Sequence, residues 1–191
     1  MDKTISRNIC CECGAKRVNC CCNEDYYLAV TINDIRKIIS HGFKIKDCIE
    51  AAGFEEKELE DEQWWKDAMI KIKNKLYRIS LIEKKDGKCI FLKNRKGCIL
   101  GDDRPALCKL FPFWIKRNKI IYYDDFCEIV QQKIPLREAL DIIGETKEKI
   151  REYYAEVKED FLKNHGLHEK LTYLLLQKRY NEFEKAVNAK A

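Results

Sequence analysis

Apolar residues along this chain follow two periods. Ile32, Ile35, Ile38 and Ile39 share one helical face, and Leu140, Ile143, Ile150, Tyr154, Val157 and Phe161 share another. Thr31 and Asp34 supply a capping pair ahead of the first face, and Gly42 is placed to stop it. A short helix is predicted over 46–52, ending at Gly53, and another through Trp64, Trp65, Met69 and Ile72. The pattern then changes. Residues 76–82 read as a strand, Asp86-Gly87 as a hairpin turn, and 89–92 as the return strand. A second turn over 94–97 leads into 98–100. Residues 104–111 suit a short helix, with Asp102 or Asp103 as cap, Pro105 at its first position and Pro112 ending it. Residues 113–116 and 119–123, joined through Arg117-Asn118, predict a last hairpin. From Pro135 onward two long helices are expected, broken at His165-Gly166, the second carrying Leu167, Leu171, Leu174, Phe183 and Val187. The predicted fold is α+β: a small cysteine-rich core of short hairpins and helices over 1–133, then a C-terminal helical hairpin over 134–191.

At 191 residues, 46% hydrophobic and 36% charged, the chain is long enough to bury a core and too apolar for disorder. Its longest apolar runs, such as 173–176, are far too short to cross a bilayer. The first seven residues show no leader pattern, so a cytoplasmic protein with reduced thiols is expected. Net charge is +5 but segregated. Residues 50–69 carry eight acids against two bases, and 70–96 carry ten bases against two acids. The simplest reading sets these blocks against each other or into solvent, and no nucleic-acid motif accompanies them. The C-terminal helices, with eleven charges of each sign, are available to an unidentified protein partner.

Eleven cysteines change the picture. The number is odd, which excludes complete intrachain pairing, and disulfides are kept only as an alternative. Six cysteines fall in 10–22: Cys10, Cys11 and Cys13, followed by Gly14, then Cys20, Cys21 and Cys22. So many thiols in so short a stretch cannot all be core, and the CxxC spacing lets two sulfurs reach one ion. Cys89, Cys98, Cys108 and Cys127 have no finger or knuckle spacing, so spacing leaves them open between ligand and buried core. Cys48 lies on an apolar helical face and reads as core. Near the start of its predicted helix, Cys108 would gain thiolate character from the dipole and from Arg104, which makes Arg104 the candidate cofactor-binding residue. Arg104 reads equally as a surface residue paired with Asp102 or Asp103. His41, His165 and His168 are remote from cysteines in sequence, with His165 and His168 expected in a loop between helices.

Together these residues resemble the YkgJ-type cysteine-cluster family of zinc- or iron-chelating domains. The resemblance rests on Cys10 to Cys13-Gly14, Cys21-Cys22, Thr31 to Ile35, Cys89-Ile90-Phe91-Leu92, Gly97-Cys98-Ile99 and Arg104-Pro105 through Cys108 to Phe111-Pro112-Phe113, with Cys127 as the last cysteine. It implies eight metal ligands: Cys10, Cys13, Cys21, Cys22, Cys89, Cys98, Cys108 and Cys127. Cys11 and Cys20 double the register, so either could replace a neighbour. The doubled cysteines and the lack of nearby histidines favour an iron–sulfur cluster over zinc. The expected function is metal binding through these thiolates. Two alternatives stand beside it. One is an Fe–S-dependent protein-modifying enzyme similar to flagellin lysine methylase, although no SAM-binding glycine loop is seen. The other is a non-catalytic adaptor with structural zinc.

Overall fold

The computed structural model describes residues 28–54, 63–84, 88–93, 97–123 and 127–189. In chain order the helices are α1 (Ile32–Ser40), α2 (Ile45–Cys48), α3 (Gln63–Asp67), α4 (Ala106–Leu110), α5 (Glu128–Gln131), α6 (Leu136–Ile143), α7 (Lys147–Lys163), α8 (His165–Leu176) and α9 (Tyr180–Asn188). The strands are β1 (Ile49–Phe54), β2 (Ile70–Ile72), β3 (Lys75–Leu81), β4 (Leu92–Lys93), β5 (Gly97–Cys98), β6 (Phe113–Lys116) and β7 (Lys119–Tyr122). The fold is α+β, as expected. By contacts the described chain forms two compact units, one of 27–82 with 156–191 and one of 83–155, and α7 passes from one to the other after Ala155.

In the unit of 27–82 and 156–191, an antiparallel sheet of order β1-β3-β2 packs against α8. The α1 prediction holds in detail. Thr31 Oγ1 accepts from the Asp34 N–H and an Asp34 carboxylate oxygen accepts from the Thr31 N–H, both at 3.0 Å. Such a reciprocal cap contributes about 1 kcal/mol. Ile32, Ile35 and Ile38 are buried, and Gly42 takes a left-handed φ of 81° just beyond the helix.

The segment predicted as a helix over 46–52 is instead α2 followed at once by β1. Ile49 to Phe54 pair residue by residue with Leu81 to Leu76, so six ladder positions outweigh a weak local helix preference. Gly53 is therefore a strand residue opposite Tyr77, where an added Cβ would lie 3.5 Å from the Tyr77 ring. The helix expected through Ile72 likewise ends at Asp67 and gives way to β2. The strand over 76–82 is present as β3, but its partners are β1 and β2, not residues 89–92. Of that expected hairpin there remain a single bridge between Glu83 and Cys89 and the Lys84 N–H donating to the Lys88 carbonyl. The turns at Asp86-Gly87 and over 94–96 lie outside the described residues.

The basic block is not wholly solvated. Arg78 is buried, with its guanidinium 3.6 Å from the centroid of the Trp65 ring and Nη2 donating to the Trp65 carbonyl. Lys71 and Lys75 are exposed.

Cys48 is core, as its helical position predicts. Sγ donates to the Lys44 carbonyl at 3.1 Å. Burial, with Asp47 and Glu184 adding, pushes the thiol from 9.0 up to about 12. A raised folded pKa means that the stability from keeping this thiol protonated is complete below about pH 9 and is lost as pH rises toward the folded value. Iodoacetamide at pH 8 is expected to leave Cys48 unlabelled in the folded chain and to label it in urea. Peptide mass mapping checks this, and ready labelling of the folded chain would contradict it.

The helical C-terminal region departs from two long helices. α6 ends at Gly144, which adopts φ 76° and caps the helix, and Thr146 Oγ1 then accepts from the Lys149 N–H to start α7. α7 and α8 meet at Asn164 rather than at His165-Gly166, and both of these residues lie inside α8. A further break follows α8, where Lys178 takes the left-handed φ of 57° that glycine usually supplies.

His168 is thus no loop residue. It is 2% exposed, and its ring is stacked on Phe161 at 4.7 Å. Its Nε2 lies 2.8 Å from Asp160 Oδ2. That carboxylate also accepts from the Ile32 N–H at 3.0 Å, and its other oxygen accepts from Asn164 Nδ2 at 2.9 Å. One half-buried carboxylate thereby joins the first turn of α1 to α7 and α8.

In the unit of 83–155, β6 and β7 form the predicted hairpin, with Phe113 opposite Tyr122 and Lys116 opposite Lys119. Arg117 and Asn118 both take left-handed φ values, 49° and 62°, as a two-residue hairpin turn requires. The Tyr122 hydroxyl donates to the Ile134 carbonyl at 2.6 Å, and Trp114 meets Tyr154 edge to face at 5.2 Å. No described helix is long and apolar enough to cross a membrane.

Candidate metal centre

The segment Cys89-Ile90-Phe91-Leu92 folds back on itself, the Leu92 N–H donating to the Cys89 carbonyl at 3.1 Å. Buried Phe91 anchors the turn, and its carbonyl accepts from the Ile99 N–H at 2.8 Å. The β4–β5 ladder sets Leu92 opposite Cys98. Local turn and ladder together bring Cys89 and Cys98 within electrostatic reach of each other.

Burial is the largest influence on the Cys89 thiol and pushes its pKa up. A backbone N–H from Phe91 opposes this, Cys98 adds to it, and the Leu92 N–H and the Lys84 ammonium pull the other way. Backbone N–H groups that favour the thiolate, with a second cysteine in electrostatic reach, suit a soft-metal site. This donor set fits zinc or iron.

Cys108 is half-buried in the middle of α4. Pro105, not Asp102 or Asp103, occupies the cap position, and no side chain caps the helix. Asp102 and Asp103 belong to a preceding 3-10 turn, because Arg104 N–H bonds back to the Gly101 carbonyl. With only five residues, α4 has little dipole to lend Cys108. The charge of Arg104 is felt at Tyr153, whose hydroxyl lies 3.4 Å from both Glu145 oxygens. Lys109 Nζ stands 5.6 Å from the Tyr153 ring centroid.

Cys127 sits at the head of α5, its carbonyl accepting from the Gln131 N–H at 2.9 Å. It lies near Tyr122, whose hydroxyl pKa is raised by burial first and by Cys127 next.

Among the described residues, no group of three or more His, Cys, Asp and Glu side chains is arranged to hold a metal ion. Cys98 stands opposite Leu92 on the β4–β5 ladder, within electrostatic reach of Cys89. Cys10, Cys13, Cys21 and Cys22, with Cys11 and Cys20, lie outside the described residues. Lys84 was not legible as part of this site, because only the fold carries its ammonium to the Cys89 turn. The N–H donors of Phe91 and Leu92 had a faint signal in the C-x-F-L segment.

Residues 9–128 match a family model, CxxCxxCC, described as a "Putative zinc- or iron-chelating domain". No curated protein and no solved structure matches the chain. The family match spans both cysteine groups and more than half the length, so this chain belongs to the CxxCxxCC family of zinc- or iron-chelating domains.

Proposed function

We propose that this chain holds an iron–sulfur cluster through thiolates drawn from Cys10, Cys13, Cys21, Cys22, Cys89, Cys98, Cys108 and Cys127. The observation that carries the reading is the Cys89 turn, closed by the Leu92 N–H, with Cys98 opposite Leu92 and the Phe91 and Leu92 backbone N–H groups favouring the Cys89 thiolate. Backbone N–H donors of this kind disperse the negative charge of a thiolate and favour its bond to a metal. The Cys20-Cys21-Cys22 run adds to it, since adjacent sulfurs suit a polynuclear cluster better than one tetrahedral ion. When bound, the cluster supplies one-electron chemistry. The chain's own residues hold it, orient the sulfurs and limit water at the Phe91–Leu92 side, where both side chains are buried.

Anaerobic purification followed by iron, zinc and sulfide determination tests this. Iron with equivalent acid-labile sulfide and visible sulfur-to-iron charge transfer is expected. A colourless protein with stoichiometric zinc overturns the cluster and keeps the thiolate centre. Absence of both metals overturns the centre itself.

A further inference from the structure

Lys84 occupies an unusual place for an exposed lysine. Its N–H donates to the Lys88 carbonyl at 2.8 Å, beside the bridge that pairs Glu83 with Cys89. Its ammonium donates to the Leu92 carbonyl at 3.2 Å. Leu92 closes the Cys89 turn on one side and stands opposite Cys98 on the other. The cation is thus fastened to the residue whose N–H closes the Cys89 turn and whose strand partner is Cys98.

We propose that Lys84 is a positioning residue of the metal centre. Its ammonium, fixed on the Leu92 carbonyl, offsets the negative charge of the Cys89 and Cys98 thiolates and holds the two sulfurs in ligating register. The inference rests on reading Cys89 and Cys98 as ligands. Four thiolates around a divalent ion carry a net charge of about −2, and a nearby cation lowers the cost of assembling them. Substituting residues that hold a metal's ligands typically weakens binding about 10- to 100-fold. For an exposed cation the lower end applies.

The test uses the full chain, metal-free and unaltered or carrying Lys84→Gln, Lys84→Arg or Lys84→Met, titrated anaerobically with Co2+ against a chelator. Thiolate-to-cobalt charge transfer provides the signal. Gln can keep the hydrogen bond to Leu92 while removing the charge, Arg keeps both, and Met keeps neither. Lys84→Gln is expected to weaken binding about tenfold and to shift the charge-transfer band, with Lys84→Met at least as weak and Lys84→Arg near the unaltered chain. Urea midpoints of the metal-free proteins should agree, which separates the effect from folding. Equal affinity for Lys84→Gln and the unaltered chain overturns the role of Lys84 alone. Arg failing alongside Gln also overturns it, because charge is then not what matters. No cobalt–thiolate signal from the unaltered chain overturns the underlying metal reading as well.

Discussion

Serine at both Cys89 and Cys98 is expected to strip the chain of tightly held metal. Structural zinc sites contribute about 10–16 kcal/mol at neutral pH, roughly 3 kcal/mol per thiolate when four share it. Loss of two ligands therefore removes about 6 kcal/mol, on the order of ten-thousandfold in affinity. Serine oxygen does not compensate, since it stays protonated and is a harder donor than sulfur. The Cys89 turn should survive, because Phe91 burial and the Ile99–Phe91 hydrogen bond do not involve the sulfur. Cys48→Ala is the control: that thiol bonds to the Lys44 carbonyl within α2 and its neighbourhood, remote in sequence from every candidate ligand. Metal per chain, measured by plasma mass spectrometry after anaerobic purification, decides it. Full stoichiometry in the double-serine variant would remove this pair from the centre.

Asp160→Ala should cost about 3–5 kcal/mol of stability, a large share of a typical domain's total. The substitution leaves three donors without their acceptor: the Ile32 N–H, Asn164 Nδ2 and the His168 ring. His168 is the costly one, because its ring is 2% exposed and stacked on Phe161. The positive end of α1 also loses a negative charge at its first turn. Glu159→Ala gives the contrast. Its bridge to Lys163 at 2.8 Å joins two exposed side chains, so almost no change in stability is expected. Urea unfolding followed by tryptophan fluorescence measures both, because Trp64 and Trp65 belong to the same unit as Asp160. Equal midpoints for the two variants would show that the Asp160 network carries no stability.

These two sites differ in how legible they were. The cysteine spacing and the RPxxC and FPF segments pointed to the family directly, and the family match covers them. The Asp160–His168 network left no trace, because the Ile32 N–H that ties it to α1 comes from a distant part of the chain. His168 looked like a loop residue only because Gly166 suggested a break. In the helix an added Cβ at Gly166 would meet nothing within 4 Å, so the glycine serves no turn there. Gly144, by contrast, was a readable stop followed by Thr146 as a cap, and the spacing of Leu140, Ile143 and Ile150 concealed it. The break at Lys178 had no signal, since a lysine rarely takes left-handed φ.

Some signals that span only a few residues determined the outcome by themselves. The Thr31–Asp34 cap, the two-residue turn at Arg117-Asn118 and the thiol-rich character of the chain are of this kind. Tertiary structure alone decided which segments pair and which side chains meet. It turned residues 49–54 into a strand against β3, buried Arg78 under Trp65, and set Cys98 opposite Leu92 of the Cys89 turn with Lys84 on the Leu92 carbonyl. The physical reason is range. A cap or turn is settled by hydrogen bonds among neighbours, whereas ladder pairing and burial depend on partners that only the folded chain supplies.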